Sequence, residues 1–207
     1  MLVRVSEQPS GRGEWTRSGA FEVAPGVHRV PVTSLDMTRQ LCDVSLDGAP
    51  ARQIAVGASA AAALEAGLVT GAVVLAAEQL GLAQRCLDMT VAYGKERRQF
   101  ARQVGSFQAV KHRLADLWAT ITQARAASRY AAACLASDDP DTAVAVALAK
   151  SACSDAAVTA AQECVQLHGG IGFTWEHPAT RPLGGRGEVR QARQGRAVST
   201  RGAECHR

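Results

Sequence analysis

The chain has 207 residues, 47% of them hydrophobic, with a formal net charge of +4. That length suffices for a core in one domain, or one domain plus a fragment of a second, and the apolar content excludes a wholly disordered chain. Aromatic residues make up only 4%. The interior segments are therefore alanine-rich, and closely packed helices with many short contacts are expected.

Residues 1–19 carry no useful periodicity and are expected to be an irregular lead-in. The start, Met1-Leu2-Val3-Arg4, turns polar and glycine-rich at once, which is not the pattern of a secretory signal. From residue 20 to 56 the signal is strand-like. Phe21 to Val23, Val27 to Val32 and Cys42 to Leu46 are short β-prone segments, with Pro25-Gly26 and Asp47-Gly48 as turn signals. Three such strands cannot close a barrel, so this stretch reads as a partial β-domain.

The period then changes. Ala58 to Lys95 contains no proline and is rich in Ala, Leu and Gln, so one helix is expected, on the order of 55 Å long. Its apolar run Gly67 to Ala77 is bracketed by Glu65 and Glu78. It falls short of the roughly 20 residues a bilayer requires, so it reads as part of a buried helix. A second helix is expected with Ser106 as N-cap and Phe107, Val110, Leu114, Leu117 and Ile121 on one stripe. A third is expected to start with Asp139 as N-cap and Pro140 at the first helical position, with Ala143, Val146, Ala147, Cys153, Ala157, Ala161 and Cys164 along one side. Gly169-Gly170 would stop it. The fold class is thus mainly α. Residues 57–178 form an incomplete antiparallel up-down helical bundle, preceded by the few strands of the partial β-domain.

Residues 179–207 break the pattern. Arg181, Arg186, Arg190, Arg193, Arg196, Arg201 and Arg207 face only Glu188 and Glu204, with no aromatic residue among them. A disordered tail is expected there. Its abrupt onset suggests a segment out of frame with its ancestor, an idea that fails if no single-base shift restores an apolar-periodic helix. The body before it is close to neutral, so no nucleic-acid partner is read from the charge. The six cysteines (Cys42, Cys86, Cys134, Cys153, Cys164 and Cys205) form no CxxC pair and no metal-ligand spacing. A reduced, cytoplasmic chain without a metal site is the simplest reading.

Two groups of residues carry chemistry. Arg97 and Arg98 close the first long helix. They can be a solvated terminus favoured by the helix dipole, or a guanidinium fork on a diphosphate. Gln166-Leu167-His168-Gly169-Gly170 can be an ordinary glycine-capped helix end. Two successive glycines exceed what one cap requires, however, and they permit close approach of backbone N–H groups to an anion or a ring. His112 and His177 have no identifiable partner and read as helix-surface residues.

Glu96-Arg97-Arg98-Gln99-Phe100, Gly105-Ser106-Phe107-Gln108 and Gln166 to Phe173, in this order at the ends of alanine-rich helices, resemble the C-terminal half of a flavin-dependent acyl-CoA dehydrogenase. The likeness runs from about Ala20 to Pro178 and is most specific from Glu78 to Glu176. It implies an oxidoreductase of lipid metabolism that binds FAD and performs α,β-dehydrogenation of an acyl-CoA thioester. The cofactor contacts it implies are Arg97 on the flavin diphosphate of a neighbouring subunit, Phe100 beside the cofactor and Gln108 on the adenosine side. Gln166, Leu167, His168, Gly169 and Gly170 would cradle the adenine and diphosphate. The family usually has glycine where this chain has Ala101. The resemblance also implies a homo- or hetero-oligomer with another dehydrogenase subunit, and electron-transferring flavoprotein as the acceptor.

The family's base is a carboxylate over the flavin. One family position for it aligns with Gly71, and Glu65, six residues earlier, lies about 240° around the helix. The other lies in a Tyr-Glu-Gly-like loop absent here, so no catalytic residue is assigned. The family's N-terminal helical domain would precede Met1. Two functions stay open: a subunit contributing half of a flavin site in trans, or a non-catalytic interaction subunit or decayed fragment.

Overall fold

The computed structural model describes residues 2–6, 18–23, 27–33, 41–45 and 51–174. Trp175 to Pro178, His177 among them, and the arginine-rich tail therefore lie outside the described residues. The chain divides into two compact units, and the division falls inside the first long helix, between Val69 and Thr70.

The first unit holds five strands and the start of that helix. Strands β1 (Leu2–Ser6), β2 (Ser18–Val23) and β5 (Ala51–Val56) form an antiparallel sheet in the order β1-β2-β5. Val3 pairs with Phe21, which pairs with Gln53, and the register shifts between Ala20 and Phe21. Strands β3 (His28–Val32) and β4 (Leu41–Ser45) form a separate ladder in which every residue is exposed. Two expectations need correction. β1 and the start of β2 fall in the stretch read as irregular lead-in, and β5 was not foreseen. Leu2, Val3 and Val5 favour extended backbone only weakly alone, and the β2 partner that turns the preference into a ladder lies well along the chain. Pro31, which cannot donate to a ladder, sits on β3 in a two-stranded ribbon where both strands are edges.

In the second unit, α1 (Gly57–Glu96 in full) runs into a tight hairpin of β6 (Arg98–Gln99) and β7 (Arg102–Gln103). A 3-10 turn, Val104–Ser106, leads to α2 (Gln108–Ser137); α3 (Thr142–His168) then ends in a second 3-10 turn, Gly169–Phe173. Consecutive helices run antiparallel, as the short connections require. The alanine-rich reading explains the packing. Ala83, Ala149, Ala156 and Ala160 are fully buried with Ile121, Cys86, Cys153 and Cys164, and side chains this small let helix backbones approach closely.

On α2, Leu117 and Ile121 are buried as expected. On α3, Ala143 and Ala147 are exposed while Ala145, Ala149, Ala156 and Ala160 are buried. Helix α3 buries more than one stripe because it touches both other helices. Ser154 Oγ donates to Gln79 Oε1 of α1 at 2.9 Å, and Cys153 Sγ lies 3.6 Å from Ala124 O of α2. Arg113 of α2 pairs with Glu163 of α3, Nε to Oε2 at 2.8 Å, and Arg125 Nη2 donates to Gln84 Oε1 of α1.

Both expected helix starts are displaced. Ser106 does not cap α2: its hydroxyl donates to Gln103 O at 2.6 Å inside the 3-10 turn, and Phe107 holds the cap position without a side-chain bond. Helix α3 begins at Thr142 rather than Pro140, yet Asp139 Oδ1 still accepts the Asp141 N–H at 2.8 Å. Local turn closure took the hydroxyl in the first case, whereas in the second the carboxylate satisfies the N–H of the residue just before the helix.

Two stretches, Gly57–Glu96 and Thr142–Phe173, are long and apolar enough to cross a membrane by length and composition alone. The bracketing Glu65 and Glu78 do not prevent this: an 18-residue window of mean hydropathy 1.9 fits within α1, and only 11% of it is buried, against the buried helix expected there.

Candidate functional site

Three chain segments meet at one end of the bundle. The first is the end of α1. Arg97 N–H donates to Tyr93 O at 2.9 Å, and Val104 N–H donates back to Arg97 O at 2.8 Å, which closes the β6–β7 hairpin. Its two tip residues, Phe100 (φ 51°) and Ala101 (φ 60°), are both left-handed. A two-residue hairpin demands this, because only such turns match the twist of the flanking strands. Neither residue is glycine, so the tip carries strain, and it projects Phe100 outward at 87% exposure.

The second segment is the 3-10 turn and the start of α2. Phe107 meets the Phe100 ring edge-on, with centroids 6.2 Å apart, and the Arg102 guanidinium lies 3.8 Å over the Phe107 ring. Stacking of this kind orders an arginine without neutralising it. Gly105 crosses Gly94 so closely that a Cβ on Gly105 would sit 2.8 Å from Gly94 O. Gln108 follows as the first residue of α2 and is exposed, as are Arg97 and Arg98.

The third is the end of α3. Gly169 has φ 68°, and its N–H donates to Gln166 O. Among the described residues, an added Cβ at Gly169 or Gly170 would meet no atom within 4 Å beyond its chain neighbours. Gln166, Gly169 and Gly170 are exposed and Leu167 is half-buried. His168 points the other way. It is buried, its Nδ1–H donates to Cys164 O at 2.6 Å, and its ring stacks on Tyr93 of α1 with centroids 4.4 Å apart.

The structure thus brings Arg97, Phe100 and Gln108 to the same end as the Gln166–Gly170 turn, and leaves the His168 side chain in the core beneath it. Burial alone would lower the His168 pKa, but the Cys164 thiol and carbonyl together raise it above the ordinary histidine value. The contact with Cys164, reinforced by burial, pushes the Cys86 thiol far above its usual range. Tyr93, Gly94 and Arg102 escaped the sequence reading. Gly94 beside Tyr93 near a helix end was the available signal, since a glycine inside a helix has a reason to be there.

Gly71, which the resemblance sets against a catalytic base, is exposed on α1 and offers no carboxylate; Glu65 is exposed as well. His112 is exposed on α2, as expected of a surface residue.

The family model "Acyl-CoA dehydrogenase, C-terminal domain" matches residues 60–184. "Acyl-CoA dehydrogenase IpdE2" of Mycobacterium tuberculosis is 55% identical over 108 residues, covering 52% of this chain and 32% of that protein. Butyryl-CoA dehydrogenase of Megasphaera elsdenii superposes with TM-score 0.78 at 26% identity, over 94% of this chain and 52% of that one. A chain of the ChsE4-ChsE5 complex of Mycobacterium tuberculosis gives TM-score 0.75 at 30% identity, over 94% and 51%. This chain therefore spans about half the length of those solved structures and a third of that curated relative.

Proposed function

This chain belongs to the acyl-CoA dehydrogenase family, and on that premise we propose that it serves FAD-dependent α,β-dehydrogenation of an acyl-CoA thioester by contributing half of a flavin site to a partner subunit. One observation carries the reading. Arg97, Phe100 and Gln108 share one end of the bundle with a turn whose two glycines have, among the described residues, nothing within 4 Å of an added Cβ.

That end suits a dinucleotide. The exposed Arg97 fork matches a diphosphate, Phe100 presents an aromatic face, and Gln108 offers an amide to the adenosine side. Gln166, Leu167, Gly169 and Gly170 would hold the other flank, with His168 taking part through its backbone. Room beside Gly169 and Gly170, which no described residue fills, is what a cofactor lying against the backbone requires. Bound FAD supplies the acceptor for the hydride that leaves the substrate's β carbon. Within this scheme the chain binds and orients, while the base that takes the α proton comes from the partner, since Gly71 has no carboxylate.

The partner is a second acyl-CoA dehydrogenase subunit, of the same or a different kind; a two-component assembly such as the ChsE4-ChsE5 complex is a precedent among similar structures. Electron-transferring flavoprotein is the proposed acceptor, the cytoplasm the proposed compartment, and residues 57–178 the proposed bundle domain. The missing carboxylate at Gly71 favours one rival reading, a non-catalytic subunit that keeps the bundle without turnover.

The test is the visible spectrum of the purified chain after incubation with excess FAD and removal of free flavin, alone and with a full-length dehydrogenase partner. Structured flavin absorbance that bleaches with acyl-CoA in the mixture, and that Arg97→Ala abolishes, supports the half-site. A colourless protein under both conditions overturns it.

A further inference from the structure

Glycine turns have no side chains with which to anchor themselves, so the position of Gly169 and Gly170 must be set from below. The residue beneath is His168. Its ring lies on Tyr93 at an interplanar angle of 27°, and its Nδ1–H is committed to Cys164 O. The turn packs down on it: a Cβ on Gly172 would fall 3.2 Å from His168 Cβ and 2.7 Å from Val165 O. Tyr93 holds the facing half as well, because its carbonyl accepts the Arg97 N–H. One residue of α1 thus reaches both flanks of the cradle, by ring to His168 just before the turn and by carbonyl to the arginine hairpin.

We propose that Tyr93 and His168 are a positioning pair, which fixes the Gly169–Gly170 turn relative to Arg97 through the stack of the half-buried Tyr93 on the buried His168 and the His168 bond to Cys164 O. Histidine suits the place because one side chain both stacks and donates. Phenylalanine would only stack, and glutamine would only donate. The meaning of the pair for cofactor binding rests on the flavin reading above, whereas the positioning itself is measurable without flavin.

The experiment is backbone hydrogen exchange on the full chain, comparing wild type with His168→Ala, His168→Phe and Tyr93→Leu. The reporters are the Gly169 and Thr174 amides, bonded to Gln166 O and Ile171 O. Core peptides of α2 and α3 around Ala131 and Ala149 serve as reference. His168→Ala and Tyr93→Leu are expected to speed exchange at the turn by about tenfold or more, from a lost stack and hydrogen bond, with the core unchanged. His168→Phe, which keeps the stack, is expected to fall between them and wild type.

Unchanged exchange at the turn, or equal acceleration in the core, overturns the proposal. Should His168→Ala fail to fold, the comparison of His168→Phe with wild type decides: a turn as protected as wild type's overturns the role of the bond. FAD retention by the same variants in the partner complex is expected to fall in the same order. If wild type retains no FAD, the flavin reading fails, while the exchange result still judges the pair.

Discussion

Gly105→Ala places a methyl group where the chain has no room. The new Cβ would stand 2.8 Å from Gly94 O, 3.1 Å from Gly94 C and 3.5 Å from Gly94 Cα. All three are backbone atoms of α1, so no side chain can swing aside; the 3-10 turn or the end of the helix must move. Overpacking of this kind costs about 1–3 kcal/mol, and the rigidity of both neighbours puts the expectation in the upper part of that range. The reverse substitution is the control. A Cβ on Gly94 would meet Gly105 Cα at 3.5 Å and Gly105 N at 3.6 Å, which is ordinary contact. Gly94→Ala also gains up to about 1 kcal/mol of helix propensity within α1. The crossing is therefore asymmetric, with one glycine required and the other optional. Urea unfolding followed by circular dichroism at 222 nm reads both variants, each referred to wild type at equal m-value. Gly105→Ala as stable as wild type, or Gly94→Ala as damaging as Gly105→Ala, refutes the reasoning from this crossing.

Ala101→Gly removes the strain of a left-handed alanine at the hairpin tip (φ 60°) and is expected to stabilise by about 1 kcal/mol in the same assay. Ile121→Ala, at a fully buried site of α2, is expected to cost about 2–5 kcal/mol through the cavity it leaves, with a correspondingly lower Tm in calorimetry. Ser154→Ala leaves the 2%-exposed Gln79 amide without its hydroxyl donor and is expected to cost about 1–3 kcal/mol; the double variant Gln79→Met/Ser154→Ala is expected to recover most of that loss. The raised His168 pKa, won by its contacts with Cys164 against burial, contributes stability that is complete below the unfolded histidine value and is lost as pH rises through the folded one. The Tm advantage of wild type over His168→Phe should then be larger at pH 6 than at pH 8.

What local pattern left undecided was settled by distant partners or by rival local ones. A strand at Leu2–Ser6 was invisible because its partner β2 lies more than ten residues away and a ladder needs both. Ser106 was a good cap by type, yet its hydroxyl closed the preceding turn on Gln103. His168 sat inside a cofactor-like motif, and no local rule could show that its ring turns inward onto Tyr93. Distant partners decided the strand and the histidine, whereas Ser106 was decided by competition between two local partners.

The three helices and their order are legible along the chain, because apolar periodicity, alanine content and glycine stops act over a few residues and are written locally. Its motifs also marked Arg97, Phe100, Gln108 and Gln166–Gly170 as the residues of interest. Only the tertiary structure decided that these belong to one end of one bundle. That outcome depends on the Gly94–Gly105 crossing and the Tyr93–His168 stack, contacts between helices that close packing selects and that no periodicity along a single segment encodes.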